Sequence, residues 1–172
     1  ALGTMVANLS TSKAGFEDKK EKLAEISKKG QITKDKLIKA IDEDTTAFDK
    51  VIKAMRMPKD TEKEKEIREK EMQKGYQSAT LVPLKTVEDC RNALQICLDI
   101  SEIMDEGMAS DVGSGALMAN AGAISAAYNV RINIKSITDN QFSNNTEKKL
   151  AELLSDCEKL LGKISINVEE CL

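Results

Sequence analysis

The stretch Ser110–Ile137, SDVGSGALMANAGAISAAYNVRINIKSI, governs how the rest of the chain is organised. Between Val112 and Val130 it carries no charged side chain, and Gly, Ala, Ser and Asn dominate it. A membrane span would be built mainly from large aliphatic residues. Here these are few, so the composition predicts a helix packed tightly inside a protein. At one residue per 100°, Asp111, Ser114, Met118, Gly122, Ser125, Asn129, Asn133 and Ser136 share an arc of roughly 100°. That strip is small or polar, while the other faces carry Ala, Leu, Ile and Val. The pattern predicts a helix buried on nearly all sides. Its strip is either a close-packing seam with hydroxyls bonded to backbone or the lining of a pocket. In the second case Asn129 and Asn133, at i and i+4, offer paired amides to a planar heterocycle. The alternating VRINI segment continues the helical period.

Working outward, Phe16–Met57 predicts one long helix, or two joined near Gly30. Beyond Gly30, Leu37, Ile41, Asp44, Phe48, Val51 and Met55 alternate in steps of three and four, a heptad-like seam. Met57-Pro58 ends it, because the residue before proline disfavours the helical conformation. Thr61-Glu62-Lys63-Glu64 has the form of a capping box. It opens a second long helix to about Asp105, with Gly107 as a stop. Leu84, Val87, Leu94, Cys97 and Met104 form its apolar face, and Pro83 predicts a kink or break near residues 79–82. At the start, Ala1–Ser10 reads as the end of a helix with Leu2, Met5, Val6 and Leu9 on one face, and Thr11–Gly15 as a turn. Thr138–Asn145 reads as a loop. Asn145 or Thr146 caps a last helix, whose seam is Leu150, Leu153, Cys157, Leu161, Ile164, Val168 and Cys171. The expectation is one all-α domain over residues 1–172, a bundle of long helices around a buried small-residue central helix.

Composition agrees. Aromatic residues make up only 3%, with no Trp, which disfavours a β-sandwich or barrel. Two prolines leave room for long helices. A net charge of −3, with both signs interspersed, lacks the basic excess of a nucleic-acid binder. Histidine is absent, so any catalysis falls to Asp, Glu, Lys, Arg, Cys, Tyr or amide groups. Cys90, Cys97, Cys157 and Cys171 form no CxxC pair, so no metal site is expected. Each falls at an apolar helical position, as a reduced buried thiol would in a cytoplasmic protein.

Two polar groups break the apolar pattern. Asp44, within IDEDTTAF, occupies a seam position. It is either a structural acid paired with a base or a carboxyl held near neutrality for proton transfer. The strip on the small-residue helix is the other. The run KDTEKEKEIREKEMQK reads as a solvated helix face laced with i,i+4 pairs, in which Arg68 and Lys74 can still meet an anionic ligand tail.

Four segments, ALGTMVANLS, DEDTTAFDKVIKAMRMPKDTEKEKEIREK, the Val82-Pro83-Leu84 step and ASDVGSGALMANAGAISAAYNVRINIKSITD, resemble the cyclodeaminase domain of formiminotransferase-cyclodeaminases and the related methenyltetrahydrofolate cyclohydrolases. Members carry a glycine-rich segment just upstream of where this chain begins, and that segment is not in the sequence. The resemblance implies a helical bundle, usually dimeric, with its site near the dimer interface. It implies folate one-carbon chemistry of the kind used in histidine degradation. In that reaction N10 of 5-formiminotetrahydrofolate attacks the formimino carbon, and ammonia leaves to give 5,10-methenyltetrahydrofolate. The alternative is hydrolysis of the methenyl group; a second is a non-catalytic helical interaction module. Carried onto this chain, Asp44 is the acid/base and Asp111 its partner or the orienter of the pterin. Asn129 and Asn133 hold the heterocycle and Phe48 packs on it. Ser110 joins the substrate site, and Lys59 or Arg68 meets the glutamate tail. The implied ligand is a tetrahydrofolate, free or polyglutamylated. No metal, no cofactor beyond that substrate, no nucleic acid and no membrane are implied.

Overall fold

A computed structural model describes residues 1–12, 15 and 17–172. The helices are α1 (Leu2–Ser10), α2 (Lys20–Met55), α3 (Glu62–Ser101), α4 (Ala109–Ile134) and α5 (Asn140–Glu169), with 3-10 turns at Glu17–Lys19 and Glu106–Met108. No strand occurs among the described residues, and Val130–Ile134 completes α4. The helix expected from Phe16 begins at Lys20; Phe16 itself, like Lys13 and Ala14 of the expected turn, lies outside the described residues. None of these helices is long and apolar enough to cross a membrane.

Cross-helix contacts fix the topology. Lys36–Asp89 and Lys85–Glu43 run α2 antiparallel to α3. Arg131–Glu147 and the Gly113–Val168 contact do the same for α4 and α5. Glu88–Lys149 and Ser101–Asn167 set α3 parallel to α5. Helix α3 packs against all four other helices and shares its most extensive contact with the small-residue helix α4. Its inward residues Leu84, Val87, Leu94, Cys97 and Ile100 form the centre of the core, with Val112, Ala116, Ala123 and Val130 of α4 and Leu150, Cys157 and Ile164 of α5.

The local signals act as physics requires. Thr61 Oγ1 accepts from Glu64 N at 3.2 Å and Glu64 Oε2 accepts from Thr61 N at 2.9 Å, closing the capping box. The Thr61 and Asp60 N–H groups hold the Glu64 carboxyl below its usual range. Two further boundaries and one helix face differ from expectation. The second long helix ends at Ser101, and Asp105 then caps the 3-10 turn that contains Gly107. The last helix starts at Asn140, because Asp139 accepts from Phe142 N at 3.0 Å and caps it six residues before Asn145. In α1 the buried face is Gly3, Thr4, Val6, Ala7 and Ser10, while Met5 and Leu9 are exposed. Thr4 lies on Gly30 of α2 so closely that any side chain at position 30 would collide with it, which is why Gly30 sits inside an unbroken helix.

The face of α2 is the main correction. Its buried series is Leu23, Ile26, Gly30, Thr33, Ala47, Val51 and Ala54, with Leu37 and Ala40 half-buried. Ile41, Phe48 and Met55 lie on the outer flank, Ile41 at 68% and Phe48 at 53% exposure. The cause is close approach. A Cβ on Gly75 of α3 would stand 3.2 Å from the Val51 backbone, so small residues at 47 and 54 fit there and larger ones do not.

Candidate functional site

Asp44 keeps the three-four spacing of the buried series, one step after Ala40 and one before Ala47. There the helices part. Leu37, Ala40, Ile41 and Asp44 of α2, Pro83 and Thr86 of α3, and Ala126 and Asn129 of α4 line a cavity of about 200 Å³ open to solvent. Asp44 is exposed, contrary to the expected burial on a packed seam. It has no ion pair or side-chain hydrogen bond among the described residues. Its neighbour Glu43 differs. Lys39 at 3.0 Å and Lys85 at 3.3 Å bond to Glu43 and hold its carboxyl below the ordinary range.

Asn129, an exposed residue, donates from Nδ2 to its own helix at Ser125 O, 3.1 Å away. Phe48 stands one turn beyond Asp44 on α2. Asn133, one turn beyond Asn129, does not line the cavity. Its Nδ2 donates across to Ala79 O of α3 at 2.8 Å. Pro83 lies inside α3 without breaking it, so the expected break at 79–82 is not found.

The remaining candidates are elsewhere. Ser110 and Asp111 occupy the first turn of α4, Ser110 exposed and Asp111 half-buried. Eighteen residues of helix separate Asp111 from Asn129, about 27 Å at helical rise. Asp111 therefore cannot share a reacting atom with Asp44 of the same chain. Lys59 follows the end of α2, which itself extends about 17 Å past Asp44. Arg68 donates from Nε to Met55 O at 3.3 Å, so it serves the C-terminus of α2. Lys74 pairs with Glu71. Pro83 and Thr86 were not anticipated as cavity walls. The Val82-Pro83-Leu84 step was their only signal, and it reads as a helix interruption.

The small-residue helix is less enclosed than its composition implied. Val112, Ala116, Ala123, Ala126, Ala127 and Val130 are buried, but Ser114, Met118, Ser125 and Asn129 of the strip are exposed. So are large apolar residues, Leu117 at 61% and Tyr128 at 64% among them. The small residues serve the α3 contact. A Cβ on Gly122 would come within 3.2 Å of Cys90 Sγ, and one on Gly115 within 3.6 Å of Cys97 Sγ.

All four cysteines are unpaired. Burial pushes the Cys90 and Cys97 thiols up to about 11, and burial also raises Cys157. They are hydrophobic core members, not nucleophiles.

Comparison with known proteins converges on one group. The family model described as formiminotransferase-cyclodeaminase matches residues 1–152. Methenyltetrahydrofolate cyclohydrolase of Methylorubrum extorquens is 33% identical over 164 residues, covering 95% of this chain and 79% of that protein. Formimidoyltransferase-cyclodeaminase of Gallus gallus is 31% identical over 92% of this chain, which spans only 29% of that longer protein. The crystal structure of formiminotetrahydrofolate cyclodeaminase from Thermotoga maritima superposes with a TM-score of 0.88 at 26% identity, over 98% of this chain and 80% of that one.

Proposed function

Because the chain belongs to the formiminotransferase-cyclodeaminase family, we propose that it closes 5-formiminotetrahydrofolate to 5,10-methenyltetrahydrofolate and ammonia. The observation that carries this reading is Asp44, a carboxylate with no ion pair among the described residues, on the wall of a cavity that Asn129 also lines. As N10 attacks the formimino carbon, the Asp44 carboxylate takes the N10 proton. The resulting acid returns it to the departing nitrogen, so one group serves both half-reactions. Asn129 Oδ1 accepts from the pterin, and Phe48 covers its face. The cation of Lys85 is engaged by Glu43 and not by Asp44. The reaction needs no cofactor beyond the tetrahydrofolate itself. Four unpaired cysteines fit a reducing cytoplasmic setting, and the chemistry fits a step of histidine degradation.

The cavity, at about 200 Å³, is smaller than the roughly 300–1,000 Å³ that encloses a drug-sized ligand. A second copy of the chain supplies the missing wall in this reading. Leu117, Ile124, Tyr128 and Ile132 give α4 an exposed apolar face for it. If two α4 helices pack antiparallel about their middles, Ser110 and Asp111 of the partner subunit come opposite Asn129 and Asp44, and the 27 Å separation is removed. Lys59, exposed beyond α2, is then the cation for a glutamate tail.

The test is direct. Purified protein with 5-formiminotetrahydrofolate should release ammonia and gain methenyl absorbance; the absence of both signals would overturn the proposal. A second reading, methenyl hydrolysis, is favoured by the name of the bacterial relative and by its 79% coverage. Loss of methenyl absorbance without any formimino substrate identifies it. Failure of any reduced folate to raise the melting temperature would instead favour a non-catalytic module.

A further inference from the structure

We infer that Asn133 is a positioning residue: its amide replaces the backbone hydrogen bond that Pro83 deletes from α3, and thereby sets the wall of the Asp44 cavity. In a continuous helix the N–H of residue 83 would bond the carbonyl of residue 79. Proline has no N–H, and its ring crowds that carbonyl. Ala79 is buried, so its oxygen cannot turn to bulk water. Asn133 Nδ2 lies 2.8 Å from it. The donor comes from α4, not from α3, so the defect in one helix is repaired only when the other is in register.

The register is visible along the whole contact. From Asn133 to Gly122 is eleven residues of α4, and from Ala79 to Cys90 is eleven residues of α3. From Gly122 to Gly115 is seven, as is Cys90 to Cys97. Three turns and two turns match on both helices. The glycine–cysteine contacts allow close approach but are apolar and tolerate small slides. The amide–carbonyl bond is directional and does not. In the same register, one turn inward from Asn133 and Ala79, stand Asn129 and Pro83, which line the cavity together. Proline is thus kept at position 83 as a wall with no backbone donor, and Asn133 is what makes it tolerable. This assigns Asn133 a role other than holding a heterocycle.

A double-mutant cycle of Pro83→Ala and Asn133→Ala, on the full chain, tests the coupling. Thermal unfolding is one readout and needs no substrate, so it stands even if the folate reading fails. Steady-state kinetics is the other and rests on that reading. Asn133→Ala alone should lower Tm by about 4 °C and raise KM about tenfold with kcat changed less. In the Pro83→Ala background the restored backbone N–H at position 83 can reach Ala79 O. There Asn133→Ala should shift Tm by under about 1 °C and leave KM where Pro83→Ala alone puts it. Asn133→Asp, isosteric but without a donor when ionised, should behave like Asn133→Ala. Equal Tm losses in both backgrounds, or an Asn133→Asp protein as stable as the parent, would overturn the inference. A KM penalty that persists undiminished in the Pro83→Ala background would return Asn133 to direct ligand contact.

Discussion

The two long interfaces of α3 are built on opposite plans. Toward α4 it is apolar: glycine meets cysteine at positions 122/90 and 115/97, and among the described residues Asn133 to Ala79 O is the one hydrogen bond between the two helices. Toward α2 it is bolted where Gly75 meets Val51 and Ala79 joins Ala47 and Val51 in a buried cluster, and beyond that it is laced by Lys36–Asp89 and Lys85–Glu43. Beside those ion pairs the helices part, and Asp44 stands in the gap. The apolar side fixes geometry. The charged side leaves room for a ligand and keeps a carboxylate free.

The largest test of this contrast is Asp44→Asn. It should cut turnover by about 10²–10⁴-fold while leaving the melting temperature within about 1 °C, since the side chain has no partner to lose. A parallel fall in stability would make Asp44 part of the bolt instead. Next comes Gly75→Ala. Alanine gains about 1 kcal/mol of helix propensity, but its Cβ would press on the Val51 backbone, where overpacking costs about 1–3 kcal/mol. Denaturant unfolding should show a net loss of up to about 2 kcal/mol; a gain would mean that α2 can simply move away. Gly162→Ala sharpens the comparison from the other side. Nothing lies within 4 Å of that Cβ, so this exposed α5 position should gain about 0.5–1 kcal/mol.

The smallest effect concerns Asp89, buried at 4% exposure beside Lys36. Burial raises its carboxyl above the ordinary value, against the opposing pull of Lys36 and Lys85. The folded chain therefore holds that proton more tightly than the unfolded chain. Stability from this group is full below the unfolded carboxylate value and falls as pH rises through the folded one. Asp89→Asn should match the parent in acid and gain on it toward neutral pH. Melting curves across that range that stay parallel would show that Lys36 fully compensates the buried charge.

Much of the fold is written locally. The Thr61–Glu64 box, the Met57-Pro58 stop and the period of Leu150 to Val168 each depend on neighbours in sequence, and each holds in the structure. Asp139 was hidden because the Asn-rich run after it has low helix propensity. The α2 face was ambiguous for a definite reason. Two interleaved series share Leu37, Asp44 and Val51, and only the remote approach of Gly75 chooses the one with alanines. The candidate cavity was legible only in part. Asp44 and Asn129 line one cavity, but the 27 Å between Asp111 and Asn129 along α4 is invisible to a reading that treats one helix face as one place. Asn133 shared that face and serves a carbonyl whose need arises fifty-four residues away.

The buried thiols carry a separate consequence. Cys90 and Cys97 lie under Gly122 and Gly115 with thiols near 11, so at neutral pH the closed molecule presents almost no thiolate to a reagent. Alkylation must wait until α3 and α4 come apart. The chain thus contains its own clock for that separation, read one cysteine at a time, with half-buried Cys171 at the chain's end as the faster hand.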